Sequence, residues 1–321
     1  LEHSRKVIFA IKNQPNEVYL KGRGLPLAAE EKTGLQMIKS CMTVKPHIRL
    51  LAIDIDGTLL DSRHQISPVN LTALRRAKEA GMQIVLVTGR RHRFALPVAE
   101  AVSFEVGLIS SNGAVSRSSR GELYHRELLP ASVARAICAG MEEFRGQMVL
   151  TFDSEGPGSV VMEDEAAQAA GIRGWIEKNR DCISLVKPIE DALTSDPVQA
   201  MFCGTVTRMK EAENTLMSRD VASQLTVLRT QYEARDLCIL DLLNRNCSKG
   251  HALKRWAEAQ GIPREEVMAI GDNYNDVEML EFAGLPFIMD NACDELKRNG
   301  WRRACSNDQN GVAAAIAEVL D

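Results

Sequence analysis

From Leu50 the chain runs Leu50-Leu51-Ala52-Ile53 with no polar break before Asp54, the pattern of a strand buried on both faces. A polar loop follows. Ser67 ahead of Pro68 then marks a helix start, and Leu71, Leu74 and Ala77 at helical spacing predict a helix that ends near Gly81. A second apolar run over 83–87 predicts a strand closed by Thr88-Gly89-Arg90, followed by a helix through Ala95 and Val98 and a short strand over 106–109. Strand and helix in alternation imply right-handed crossovers and a parallel sheet.

The rhythm breaks in the middle. Residues 130–230 carry helical stretches at 133–144 and 166–178 and strand-like pieces at 147–152, 159–162, 199–205 and 224–228, a mixture that predicts a separate α+β unit. The earlier rhythm then resumes with a helix over 249–260 closed by Gly261 and Pro263, a strand over 267–270, a helix through Met279 and Leu280, and a strand over 286–289. One α/β core split by an insertion is the expected organisation: 48–129 and 231–321 form the core and 130–230 the inserted domain. Residues 1–47 show no sustained period of either kind and read as a loosely held extension.

Composition narrows the function. A chain of 321 residues with 45% hydrophobic and 26% charged content suits two moderate cores. The net charge of −4 gives no overall pull toward nucleic acid or anionic membrane, so neither is expected as a partner. Eight cysteines occur without a CxxC pair, and Cys203 and Cys238 sit in apolar stretches, which points to free buried thiols in a reducing cytosol. No apolar run reaches the roughly 20 residues that cross a bilayer, and no secretory pattern opens the chain. A cytoplasmic location is expected.

Candidate chemistry lies where buried runs end, because ligands of an open parallel sheet gather beyond the carboxyl ends of its strands. Asp54 and Asp56 project to one side of an extended segment, and two adjacent like charges are costly without a cation or proton. An isolated D-x-D reads more readily as a turn with two solvated aspartates. A second strand end, over 271–276, also carries acids, Asp272 and Asp276, and a Mg²⁺ ion held by carboxylates, water and a phosphate would account for both. Thr88 and Gly89 open a helix and offer a hydroxyl and backbone N–H groups to an anion, although helix capping explains such a pair by itself. Lys249, at another helix start, suits phosphate charge; alone it reads as a surface lysine, as do Arg90 and Arg91 as surface arginines. The acids Asp153, Glu155, Glu163, Asp164 and Glu165 read as solvated charges without a role.

The ordered segments DIDGTLL at 54–60, VTGR at 87–90, SNGA at 111–114, SKG at 248–250 and GDNYNDVEML at 271–280 resemble the haloacid dehalogenase-like superfamily, in particular its Cof-like hydrolases with a type IIB cap. The resemblance runs from Leu50 to the C-terminus. It implies a doubly wound, Rossmann-like parallel-sheet core with an inserted α+β cap, and a Mg²⁺-dependent phosphatase acting on small phosphate monoesters such as sugar phosphates. It further implies Asp54 as nucleophile and Asp56 as acid and base. Asp54, Asp56 through its carbonyl, and Asp272 would hold Mg²⁺; Thr88, Gly89 and Lys249 would hold the phosphoryl group; Asp276, Asn275 and Asn291 would support the site. One departure is Asp290 before Asn291, where the family carries glycine. A sugar-phosphate mutase on the same scaffold and a non-catalytic phosphate-binding regulator are the alternatives. The intact pair Asp54 and Asp56 argues against the second, since binding needs no nucleophile beside an acid.

Overall fold

A computed structural model describes residues 47–321; the expected extension at 1–47 therefore lies, but for His47, outside the described residues. The strands β1 (Leu50–Asp54), β2 (Gln83–Val87), β3 (Gly107–Ser110), β4 (Val115–Ser118) and β5 (Leu123–Arg126) join β12 (Val267–Gly271), β13 (Leu285–Met289) and β14 (Arg302–Ala304) in one sheet. Its order is β14-β13-β12-β1-β2-β3-β4-β5, parallel as far as β3 and antiparallel for the last two strands. Chain order reverses between β1 and β12, which makes the gap beyond their carboxyl ends the natural ligand crevice.

Alternation along β1 explains the layers. Leu51 and Ile53 face α1 (Pro68–Glu79), α2 (His92–Ala101) and the C-terminal helix (Gly311–Leu320). Leu50 and Ala52 face the opposite helical layer, which includes Leu253, Ala257, Met279 and Leu280. A strand with apolar residues on both faces requires helices on both faces, and the doubly wound α/β architecture follows. The helix start read at Ser67 is a real cap, its hydroxyl accepting from Asn70 N at 3.1 Å ahead of Pro68, whereas Thr88-Gly89 caps no helix, since α2 begins at His92 with Arg91 before it and no side-chain cap.

A second sheet, in the order β10-β11-β9-β6-β7-β8, comprises β6 (Met148–Thr151), β7 (Val160–Met162), β8 (Ile183–Leu185), β9 (Gln199–Gly204), β10 (Leu225–Tyr232) and β11 (Leu237–Asn244). It carries α3 (Ala131–Gly140) and α5 (Val206–Met217) on one face, with Ile137, Phe202, Met209 and Leu240 in the shared core. Helix α4 (Arg173–Lys178) packs through Ile176 into the cluster on the other face. The structure departs from the expected border at 230, because β11 pairs with β9 and β10 in this second sheet. Its run Leu237 to Leu243 looks like any core strand; a hairpin turned by Asp236 at φ 43° delivers it to the other sheet. The helix expected over 166–178 is α-helical only over Arg173–Lys178. The remaining two α-helices among the described residues are α6 (Lys249–Ala259) and α7 (Val277–Phe282), so the C-terminal helix is labelled α8.

Candidate active site

Strand β1 delivers Asp54 to the crevice, and β12 delivers Asp272 beside it. Oxygens of Asp54, Asp272 and Asp276 lie within 4.8 Å of one another. Lys249, at the first position of α6 and 1% exposed, donates from Nζ to Asp54 Oδ1 and to Asp276 Oδ1, each at 2.6 Å. The isolated reading of Lys249 as a surface side chain is thus overturned by the fold.

Asp276 has little left to give a metal. Its Oδ2 accepts from the backbone N–H groups of Asp272 and Asn273 at 3.0 Å each, and its Oδ1 accepts from Lys249. It therefore fixes the 271–276 turn and Lys249. Asp272 keeps more capacity: Thr58 Oγ1 donates to its Oδ1 at 3.2 Å. At Gly57, with φ +83°, a Cβ would lie 2.3 Å from Asp272 Oδ2, so only glycine lets the first loop pass the second acid.

Electrostatics follow the geometry. Burial raises the Asp54 pKa to about 7, the neighbouring Asp276 pushes the same way, and Lys249 opposes them. Asp272 is raised well above the usual carboxylate range, first by burial and then by Asp54 and Asp276. Burial disfavours the Lys249 charge, but Asp276 and Asp54 overcome this and hold the ammonium protonated. Three clustered carboxylates against one ammonium leave surplus negative charge on oxygen donors alone. Such a set fits a hard divalent cation of the Mg²⁺ type.

Asp56 turns elsewhere. Arg90 forks it, Nε to Oδ2 at 2.7 Å and a terminal nitrogen to Oδ1 at 2.5 Å. Arg91 is also no surface residue: it is buried and donates to the carbonyls of Phe152 and Ser154, both at 3.0 Å. Thr88 is buried at the end of β2, where its N–H donates to Ile109 O and its hydroxyl accepts from Arg90 N. The Thr88 O–H and Gly89 N–H are the donors this turn has to offer. Asn275 Nδ2 donates to Asn112 Oδ1 at 2.9 Å, and Asn291 Nδ2 donates to Gly57 O at 2.8 Å, a bond made without the family's glycine at 290.

Sequence reasoning missed two groups, Asn112 and Asp241, whose side chains meet at 2.8 Å in the interior. An acid inside the apolar run 237–243 was the available signal. It also missed that Asp153 is clamped by Arg117 and Arg126 at 2.8 Å, that Glu163 meets Arg145 at 2.6 Å and that Glu165 meets Arg180 at 2.9 Å.

The fold gathers carboxylates and a buried lysine beyond the strand ends at the switch point between β1 and β12, the place where ligands of doubly wound α/β proteins bind. The family profile of haloacid dehalogenase-like hydrolases matches residues 51–316. Phosphatase YwpJ of Bacillus subtilis is 32% identical over 294 residues, covering 85% of this chain and all of that protein. The pyridoxal phosphate phosphatase YbhA of Escherichia coli is 28% identical over 277 residues, covering 85% and 98%. A haloacid dehalogenase-like hydrolase structure from Bacillus subtilis superposes with a TM-score of 0.71 at 26% identity, covering 85% of this chain and all of that one. The chain belongs to the haloacid dehalogenase-like hydrolases, and among them it is a phosphatase. Among the described residues no helix is long and apolar enough to cross a membrane.

Proposed function

We propose that this phosphatase hydrolyses small phosphate monoesters in two steps through a phosphoryl group carried on Asp54. The observation that carries the reading is Lys249, buried and 2.6 Å from both Asp54 and Asp276. A lysine so held keeps Asp54 oriented and opposes the burial that raises its pKa, and its remaining N–H capacity suits a phosphoryl oxygen. Asp54 attacks phosphorus while the ester oxygen leaves with a proton from Asp56. Asp56 then takes a proton from water, whose oxygen attacks the same phosphorus and restores Asp54. The Thr88 hydroxyl and Gly89 N–H receive phosphoryl oxygens in both steps. Arg90 orients Asp56 between turns.

Asp54, Asp272 and the carbonyl of Asp56 are the ligands we assign to Mg²⁺. When bound, the ion neutralises charge on the transferring phosphoryl group. We assign the segment from about 130 to the end of β11 as the cap, extending the unit past 230 because β11 belongs to its sheet. In this role it shields the crevice from water and supplies contacts to the leaving group. The substrate class is a small phosphorylated metabolite, sugar phosphates and phosphorylated heterocycles such as pyridoxal phosphate among the candidates; YbhA bears the latter in its name.

The test is phosphate release from a panel of sugar phosphates, nucleotides and pyridoxal phosphate, with and without Mg²⁺, in wild type and Asp54→Asn. Activity that requires Mg²⁺ and vanishes in the variant supports the reading. A variant with full activity refutes the nucleophile.

A further inference from the structure

The SNGA segment has no part in the chemistry above, yet it sits at a junction of three elements. Asn112 is fully buried in the left-handed conformation, φ 51° and ψ 30°, which asparagine tolerates better than most residues. Two backbone bonds strap its loop to the phosphate turn, Asn112 N to Thr88 O at 2.9 Å and Ser111 N to Arg90 O at 2.8 Å. A Cβ at Gly89 would lie 3.2 Å from Asn112 Oδ1, so the amide packs directly on that turn.

The Asn112 side chain bonds in two further directions. Its Oδ1 accepts from Asn275 Nδ2 at 2.9 Å, on the turn that holds Asp272 and Asp276. Its Nδ2 donates to Asp241 Oδ2 at 2.8 Å, and Asp241 Oδ1 accepts from Gln199 Nε2 at 2.9 Å. Asp241 and Gln199 lie on β11 and β9 of the second sheet, and both are buried. The carboxylate has two acceptor oxygens and uses each for one amide donor. A buried acid whose two oxygens are each taken by an amide donor fixes which way the Asn112 amide faces, since a flipped amide would set its oxygen against the Asp241 carboxylate, while Gln199 Oε1 is left without a partner.

We propose that Asp241 is a positioning residue that acts through Asn112, so that a strand of the second sheet sets the geometry of the Thr88-Gly89 phosphate turn. The inference rests on the assignment of that turn to phosphate binding. It makes the orientation of the turn depend on the seating of the second sheet against the first. An amide in place of Asp241 turns its NH2 group on one of the two donors, so either Asn112 loses its acceptor or Gln199 must turn its unpartnered oxygen round to meet that group.

Binding of inorganic phosphate in the presence of Mg²⁺, measured by calorimetry at about pH 8.5 so that Asp241 is ionised, tests this without any need for turnover. Asp241→Asn and Asn112→Gly, which keeps the left-handed backbone, should each raise the phosphate Kd about tenfold, the loss of one charge-assisted bond's worth of order. Because Asp241 acts through Asn112, adding Asp241→Asn to Asn112→Gly should change Kd by no more than about twofold. Thr88→Val reports on the turn itself. Independent, multiplying effects of the two changes overturn the inference, as does a folded Asp241→Asn protein that binds phosphate like wild type. Should Asp241→Asn fail to fold, Asn112→Gly decides alone, and an unchanged Kd refutes the link. Wild type that ignores phosphate, or Thr88→Val that binds it normally, overturns the assignment of the turn and the inference with it.

Discussion

Replacing Lys249 with methionine removes the cation and keeps the length and most of the volume of the side chain. Asp54 and Asp276 would each lose a 2.6 Å partner in a pocket where the lysine is 1% exposed. Breaking a buried ion pair from one side costs about 3–5 kcal/mol, because the remaining charge stays desolvated. Asp54 limits the damage by taking up a proton, since burial already raises its pKa to about 7. Without the lysine its pKa rises further. A carboxyl raised in the folded state binds more protons there than in the unfolded chain, so stability falls as pH rises toward the folded pKa. Lys249→Met should therefore lose about 4 kcal/mol near pH 8, about 10 °C in Tm, and distinctly less near pH 5.5. Mg²⁺ at about a hundredfold over its Kd should return up to about 2.7 kcal/mol, and phosphate release should fall about 10²–10³-fold. Thermal unfolding followed by circular dichroism across pH, with and without Mg²⁺, reads all of these. A metal-free variant that unfolds near pH 8 at the wild-type temperature would refute the argument.

Further outcomes follow from the same contacts. Gly57→Ala drives a Cβ to 2.3 Å from Asp272 Oδ2 at φ +83°, so the Mg²⁺ concentration for half-activation should rise more than about tenfold. Gly81→Ala, with similar φ and open space around it, should cost only about 1 kcal/mol in urea unfolding and leave that concentration unchanged. Asp56→Asn should slow hydrolysis of alkyl phosphates about 10²–10⁴-fold and that of aryl phosphates with good leaving groups much less, measured as kcat for each. The Asp241 pKa is raised to about 7 by burial, against the opposing Asn112 bond, Lys249 charge and Gln199 bond. With a folded pKa above the usual 3.8, its share of stability is full below pH 4 and lost as pH climbs through 7. The stability of wild type relative to Asp241→Asn should therefore fall by about 3 kcal/mol between pH 5 and 8 in urea titrations.

The core was legible because its strands are buried on both faces and end abruptly in polar residues: β1 stops at Asp54, β2 at Thr88 and β12 at Asp272. Local caps such as Ser67 with Pro68 were equally plain. What sequence reasoning could not reach depends on partners far along the chain. Leu237 to Leu243, apolar but for Asp241, suits either sheet, and only the register with β9 and β10 decides. Arg90 reads as a surface residue until the first loop brings Asp56 to its guanidinium. Three of the five acids, Asp153, Glu163 and Glu165, form ion pairs for the same reason, Asp153 with arginines on β4 and β5. Over 166–172 helical spacing overestimated the helix, as Gly171 weakens that half, while Gly174 is accommodated inside α4.

The central claim is a phosphoryl group carried on Asp54. Acid quenching within the first turnover of labelled substrate, followed by digestion and mass spectrometry, tests it most directly. The label should appear on the peptide that contains Asp54, should be released by hydroxylamine, and should be missing from Asp54→Asn. Label on another residue, or steady phosphate release with no labelled protein at any quench time under conditions that preserve acyl phosphates, would contradict the account.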